Sequence, residues 1–210
     1  MSSPLSSRAP LSPAPHVRSS RATVPAGHRR DIAQVLIPEK RIQRRVDELA
    51  AAVSADYRGQ ELVMVALLNG TVAFLADLMR RMEFPLTLDL MGVSSYRSGT
   101  SSGELTYTKR LKLDVRGRHV LVIDDILDTG KTLTAVTQEL KSLGAATLRT
   151  CVLLDKPTSR PAGGFEADYV GFVVPHLFVV GYGLDYAEKY RNLPFVGVLK
   201  REVYASDTAK

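Results

Sequence analysis

The chain has 210 residues, 45% hydrophobic and 24% charged, the composition of one domain with room for a single sizeable core. No apolar run approaches the roughly 20 residues of a membrane-spanning helix; one cysteine, Cys151, and four scattered histidines exclude an internal disulfide and a structural zinc site. Of the net charge of +6, five come from residues 1–30, with five arginines and no acid; the rest holds 23 basic against 22 acidic residues, so neither a membrane nor a nucleic-acid partner is expected.

Residues 1–30 also hold seven serines and five prolines, too polar and broken to offset their ordering entropy, so the composition predicts a disordered basic tail. Its prolines would break the amphipathic helix of a transit peptide, and it has no apolar region of a secretory signal, so a cytoplasmic location is expected. Residues 31–210 read as one domain.

In Arg41–Ser54 the residues Ile42, Val46, Leu49 and Val53 fall on one helical face. Leu62–Leu68 is a continuous apolar strand ending at Asn69-Gly70, and Val72, Leu75, Ala76 and Met79 then follow at helical spacing. Leu86, Leu88 and Leu90 alternate as a strand. Ser94–Thr108 is almost purely Ser, Gly, Thr and Tyr, and predicts a long polar loop without an apolar anchor. Val120–Ile123 is a strand, and Lys131–Leu143 a helix with Leu133, Val136, Leu140 and Leu143 on one face and Gly144 as its C-cap. Further strands are expected at 147–154, 169–174, 177–180 and 195–199. Strands alternating with helices predict an α/β fold with a Rossmann-like, mostly parallel sheet flanked by helices, and ligands beyond the carboxyl ends of its strands.

The densest chemistry is Asp124-Asp125-Ile-Leu-Asp128-Thr129-Gly130-Lys131-Thr132. Free amides at the helix start, with Gly130 and the hydroxyls of Thr129 and Thr132, suit a phosphate. Asp124 and Asp125 want hydroxyl donors or a cation instead. A ligand with a phosphate at one end and vicinal hydroxyls beside it satisfies both halves. A nucleoside-triphosphate P-loop is disfavoured because its first glycine falls on Asp125. A purely structural reading, with the aspartates capping the helix, accounts for Asp128 but not for an adjacent acid pair.

This segment resembles the phosphoribosyl-pyrophosphate loop of type I phosphoribosyltransferases, a resemblance that runs from about residue 35 to 204 and is strongest to the hypoxanthine-guanine group. It implies binding of the phosphoribosyl group by Asp124, Asp125, Asp128, Thr129, Gly130, Lys131 and Thr132. Asp128 would face purine N7 as the catalytic base. In Leu153-Leu154-Asp155-Lys156-Pro157 it makes Lys156 the donor to purine O6. In Phe178-Val179-Val180-Gly181-Tyr182-Gly183-Leu184-Asp185 it makes Phe178 the stacking ring, Val179 a backbone partner of the base, and Asp185 a base-side residue and magnesium contact, alongside Asp124 and Asp125. Arg191 and the Asn69-Gly70 turn, often with a cis bond, would hold pyrophosphate. Many relatives carry a basic residue in place of Asn69 and Glu in place of Asp124. Ser95 and Tyr96 would open a mobile lid over about 94–112, and a small hood would come from the N- and C-terminal segments. The implied activity is magnesium-dependent phosphoribosyl transfer from phosphoribosyl pyrophosphate to hypoxanthine or guanine, by a homodimer or homotetramer. A non-catalytic sensor of the phosphoribosyl donor is the alternative of a different class.

Overall fold

The computed structural model describes residues 11–95 and 105–205. In chain order it contains β1 (Ile32–Ile37), α1 (Glu39–Asp56), β2 (Leu62–Leu68), α2 (Val72–Met79), β3 (Leu86–Ser95), β4 (Leu105–Lys109) and β5 (His119–Leu127). There follow α3 (Lys131–Ser142), β6 (Thr147–Asp155), β7 (Tyr169–Val173), β8 (Val179–Val180), β9 (Val196–Leu199) and the short α4 (Arg201–Tyr204).

Six strands form the main sheet in the order β4-β3-β2-β5-β6-β7, all parallel except β4, which runs antiparallel to β3. The continuous apolar runs are explained by burial on both faces. Leu62, Met64 and Ala66 of β2, with Leu121 and Ile123 of β5, join one core cluster with α1 and α2. Val63, Val65 and Leu67, with Val120 and Val122, join another beneath α3. Each such side chain taken fully out of water contributes about 1.5 to 3 kcal/mol, so the parallel arrangement is strongly specified. Gly144, at φ +87°, ends α3 in the left-handed conformation that its cap role needs.

The chain passes from β2 to one side and from β5 to the other, so the strand order reverses between them. That reversal is the topological switch point where open α/β sheets bind ligands. β1, β9 and β8 form a separate antiparallel sheet, the small hood expected from the two ends of the chain. The strand expected at 177–180 is reduced to Val179–Val180 and, with β9, belongs to the hood rather than to the parallel sheet.

Two expectations need correction. Residues 1–10 lie outside the described residues, but 11–30 are not a free tail. Val17 is buried at 2% exposure, and its amide donates to the Val173 carbonyl at 2.8 Å, while the Val173 amide donates to Pro15 at 3.1 Å. Arg45 of α1, 3% exposed, donates to the carbonyl of Ser12 and to those of Val170 and Gly171 on β7. Composition gave no sign of this, because the segment is held by an open strand edge and a buried arginine rather than by its own apolar content.

The second correction concerns the loop 94–112. Ser95 pairs through its backbone with Leu105 in a β3–β4 hairpin; Tyr96 lies outside the described residues. The returning chain is anchored. Tyr107, Leu111 and Leu113 pack on the α3-side core, and Asp89 of β3 pairs with Lys109 at 2.9 Å and accepts the amides of Lys112 and Leu113. Threonine and tyrosine fit a pleated edge as well as a loop, so polarity misread 105–109, while residues 96–104 of the expected lid lie outside the described residues.

Candidate active site

β5 runs four residues further than its apolar core suggests, so Asp124 and Asp125 lie within the strand, at the rim of the switch point, rather than after it. The Asp125 amide donates to Asp124 Oδ1 at 3.0 Å. Burial pushes the Asp124 carboxyl well above the usual carboxylate range, and the neighbouring Asp125 charge adds to the shift. Burial also raises Asp125, against the pull of its hydrogen bonds and of the Arg191 charge. The pair is short of positive charge.

The chain then turns at Asp128-Thr129-Gly130 into α3. Gly130 is the N-cap, at φ +80°, and no side chain caps the helix, so Asp128 is not the cap that the structural reading expected. The first amides of α3 therefore stay open to a ligand. Asp124, Asp125, Asp128, Thr129, Gly130 and Thr132 line one cavity of about 270 Å³ together with Gly70. Lys131 is exposed and outside that lining.

Across the cavity, the Leu68–Asn69 peptide bond is cis. A Cβ on Gly70 would sit 1.7 Å from Asp125 Oδ2, and one on Gly183 would sit 2.0 Å from the Gly70 carbonyl. These close approaches seat the β2 turn between β5 and the segment that leads to Arg191. Asn69 itself is exposed and does not line that cavity. Arg191 pairs with Asp185 at 2.9 Å and donates to the Gly183 carbonyl at 2.9 Å.

A second cavity, of about 450 Å³, shares Asp128 and Ile126 with the first. Lys156, Phe178, Val179 and Asp185 line it too. Lys156 is only 7% exposed, and its Nζ lies 3.7 Å from Asp128 Oδ2. Burial lowers its pKa, and the Asp128 charge opposes that shift. Phe178 is 38% exposed and stacks on Tyr204 at 4.8 Å between centroids, with the Tyr186 ring edge-on at 5.6 Å.

Most of the expected residues thus gather along one cleft, while Lys131, Asn69 and Arg191 line neither cavity. Among the described residues no three acids, histidines or cysteines come together as a metal-holding group. Asp124 and Asp125 are neighbours in β5, while Asp185 is paired with Arg191. Sequence reasoning also missed three residues. His176 and Tyr204 line the second cavity, and Arg160 binds the backbone beneath both. His176, two residues before Phe178, could have been suspected; nothing in the spacing of Tyr204 or Arg160 marked them.

The family model described as "Phosphoribosyl transferase domain" matches residues 36–187. The chain belongs to the phosphoribosyltransferase family. It is 47% identical over 177 residues to a hypoxanthine-guanine phosphoribosyltransferase of Staphylococcus epidermidis, covering 84% of this chain and 98% of that protein. It is also 48% identical over 176 residues to the bifunctional protein TilS/HprT of Listeria innocua, of whose length it spans only 27%. A crystal structure of a hypoxanthine phosphoribosyltransferase from Staphylococcus aureus superposes with a TM-score of 0.81 at 45% identity, covering 87% of this chain and 99% of that one. The family match begins at residue 36, so the segment that lies on β7 falls outside it.

Proposed function

We propose that the protein transfers a 5-phosphoribosyl group from phosphoribosyl pyrophosphate to N9 of hypoxanthine or guanine, releasing pyrophosphate. The observation that carries this reading is the placement of Asp128 and Lys156. A carboxylate and an ammonium 3.7 Å apart, where the two cavities meet, match neighbouring N7 and O6 on one edge of a 6-oxopurine. The open amides of α3 and the hydroxyls of Thr129 and Thr132 take the 5-phosphate, and Asp124 and Asp125 face the ribose hydroxyls. Asp128 accepts the N7 proton as N9 attacks C1 of the ribose, and Lys156 donates to O6. Phe178 offers its ring to the base, beside the apolar side chains of Ile126, Leu177, Val179 and Leu184 that line the same cavity. The Asn69-Gly70 turn and Arg191 hold the leaving pyrophosphate.

The donor set suits magnesium. Two hard carboxylates that lack positive charge are the number a hexacoordinate ion takes when substrate oxygens and water supply the rest. Asp124 and Asp125 would hold it, with Asp185 contributing where Arg191 releases it to pyrophosphate. When bound, the ion would neutralise the leaving group. The enzyme is proposed to work as a homodimer or homotetramer in the cytoplasm; no helix among the described residues is long and apolar enough to cross a membrane.

Pyrophosphate release with guanine, hypoxanthine and adenine at saturating donor tests the reading. Guanine and hypoxanthine should be used well, while adenine, which meets the Lys156 donor with its own amine donor, should lose about 10² or more in kcat/KM. Equal use of adenine would overturn the assignment of Lys156.

A further inference from the structure

Asp128 and Lys156 serve one purine edge only if two strands deliver them at a fixed separation, and neither side chain fixes it. Asp128 follows β5 and Lys156 follows β6. Their 3.7 Å contact is longer than a hydrogen bond, and Asp128 is 42% exposed, so attraction between them is a weak tether. The β5–β6 ladder ends at the pair Leu127–Asp155, beyond which the Lys156 amide gives a single bond to Leu127.

One guanidinium continues the connection. Nη1 of Arg160 donates to the carbonyls of Leu127 at 3.1 Å, Asp128 at 3.0 Å and Lys156 at 3.4 Å. Its Nη2 pairs with Asp155 Oδ1 at 2.7 Å, and the side chain is only 6% exposed. The partner carboxylate offsets the cost of burying the charge. A planar fork with several fixed donors can hold two backbone segments at once, which the point charge of a lysine cannot.

We propose that Arg160 is a positioning residue for base recognition: its guanidinium fixes the backbones of Asp128 and Lys156 against each other and so sets the spacing that the 6-oxopurine edge must fit. The inference rests on the transferase reading above. The phosphoribosyl half of the cleft depends on the amides that open α3, and these belong to the helix rather than to the clamp.

The test compares Arg160→Lys and Arg160→Met with wild type in steady-state kinetics, varying guanine and phosphoribosyl pyrophosphate separately, with melting temperature measured alongside. Arg160→Lys keeps a cation for Asp155 but loses the fork. It should raise KM for guanine about tenfold and lower kcat/KM for guanine by about 10², the size of a small misplacement of reacting groups. KM for the phosphoribosyl donor should stay within about twofold. Arg160→Met should lose more in the same direction; where it does not fold, Arg160→Lys decides alone. Three results would overturn the proposal: turnover falling only with the folded fraction and both KM values unchanged, both KM values rising equally, or Arg160→Lys unfolded at the assay temperature. Wild-type protein that releases no pyrophosphate with guanine would instead overturn the transferase reading.

Discussion

Asp128 combines two properties that a sequence presents together and the structure separates. An aspartate before a helix is usually its cap, yet here Gly130 is the N-cap and no side chain bonds the helix amides. The carboxylate is left free toward the cleft, with Lys156 its neighbour at 3.7 Å. Asp128→Asn should therefore change proton acceptance and little else. Turnover should fall by about 10² to 10⁴, with donor KM retained and stability within about 0.5 kcal/mol of wild type. Single-turnover rates and thermal melting check both halves, and wild-type turnover in the variant would remove Asp128 from the base role.

Among the elements, the chain that leaves β4 is tied back to β3 by one carboxylate, Asp89. Burial alone would raise the pKa of Asp89, but the hydrogen bonds from Lys109 and from the amides of Lys112, Leu113 and Leu90 outweigh it and hold the carboxyl well below the usual range. A depressed folded pKa means that the unfolded chain binds the proton more readily. The stabilisation is thus complete above the unfolded carboxylate pKa and is lost as pH falls through the folded value. Asp89→Asn should cost about 2 kcal/mol at pH 7, and its difference from wild type should shrink as melts are taken from pH 5 toward pH 2. A difference independent of pH would show that packing, not charge, holds the hairpin.

The N-terminal strap is the other element whose role comes from its neighbour. It adds backbone bonds along the free edge of β7, fills a core position with Val17 and satisfies Arg45 through Ser12. Deleting residues 1–17 exposes that edge and removes a buried valine, at a cost of about 2 kcal/mol, or about 4 to 8 °C in Tm for a domain of this size. An unchanged melt would mean that the contacts add nothing in solution. β7 leads directly to the segment that carries Phe178, which lines the second cavity.

The whole molecule divides its strands between two tasks. Their carboxyl ends carry the cleft, and the opposite end is locked by a polar network. There Asp56 closes α1, pairs with Arg149 at 2.5 Å and accepts the Tyr169 hydroxyl at 2.6 Å. Asp56 is 5% exposed, so removing its charge leaves Arg149 half-buried without a full partner. Asp56→Asn should destabilise the fold by about 3 kcal/mol while leaving kcat and both KM values unchanged below the lowered melting temperature. Altered kinetics at full folding would mean that the two ends are coupled through the strands.

Periodicity determined most of the architecture from sequence alone, because burial on both faces of a parallel sheet leaves runs such as Leu62–Leu68 with no other use. The loop from Asp124 to Thr132 was equally legible: two adjacent acids, a glycine and hydroxyls at a helix start are local chemistry, and locality is what a sequence records. The tertiary structure decided whatever depended on a distant partner. A Ser/Pro-rich tail becomes a strap because β7 has an open edge, a polar stretch becomes half a hairpin because Asp89 anchors its return, and Asp185 gains an ion pair because Arg191 lies beside it. Arg160 shows the same limit most clearly. An arginine four residues past a lysine has no pattern to read, and its role exists only where β5 and β6 end side by side and three carbonyls converge on one guanidinium.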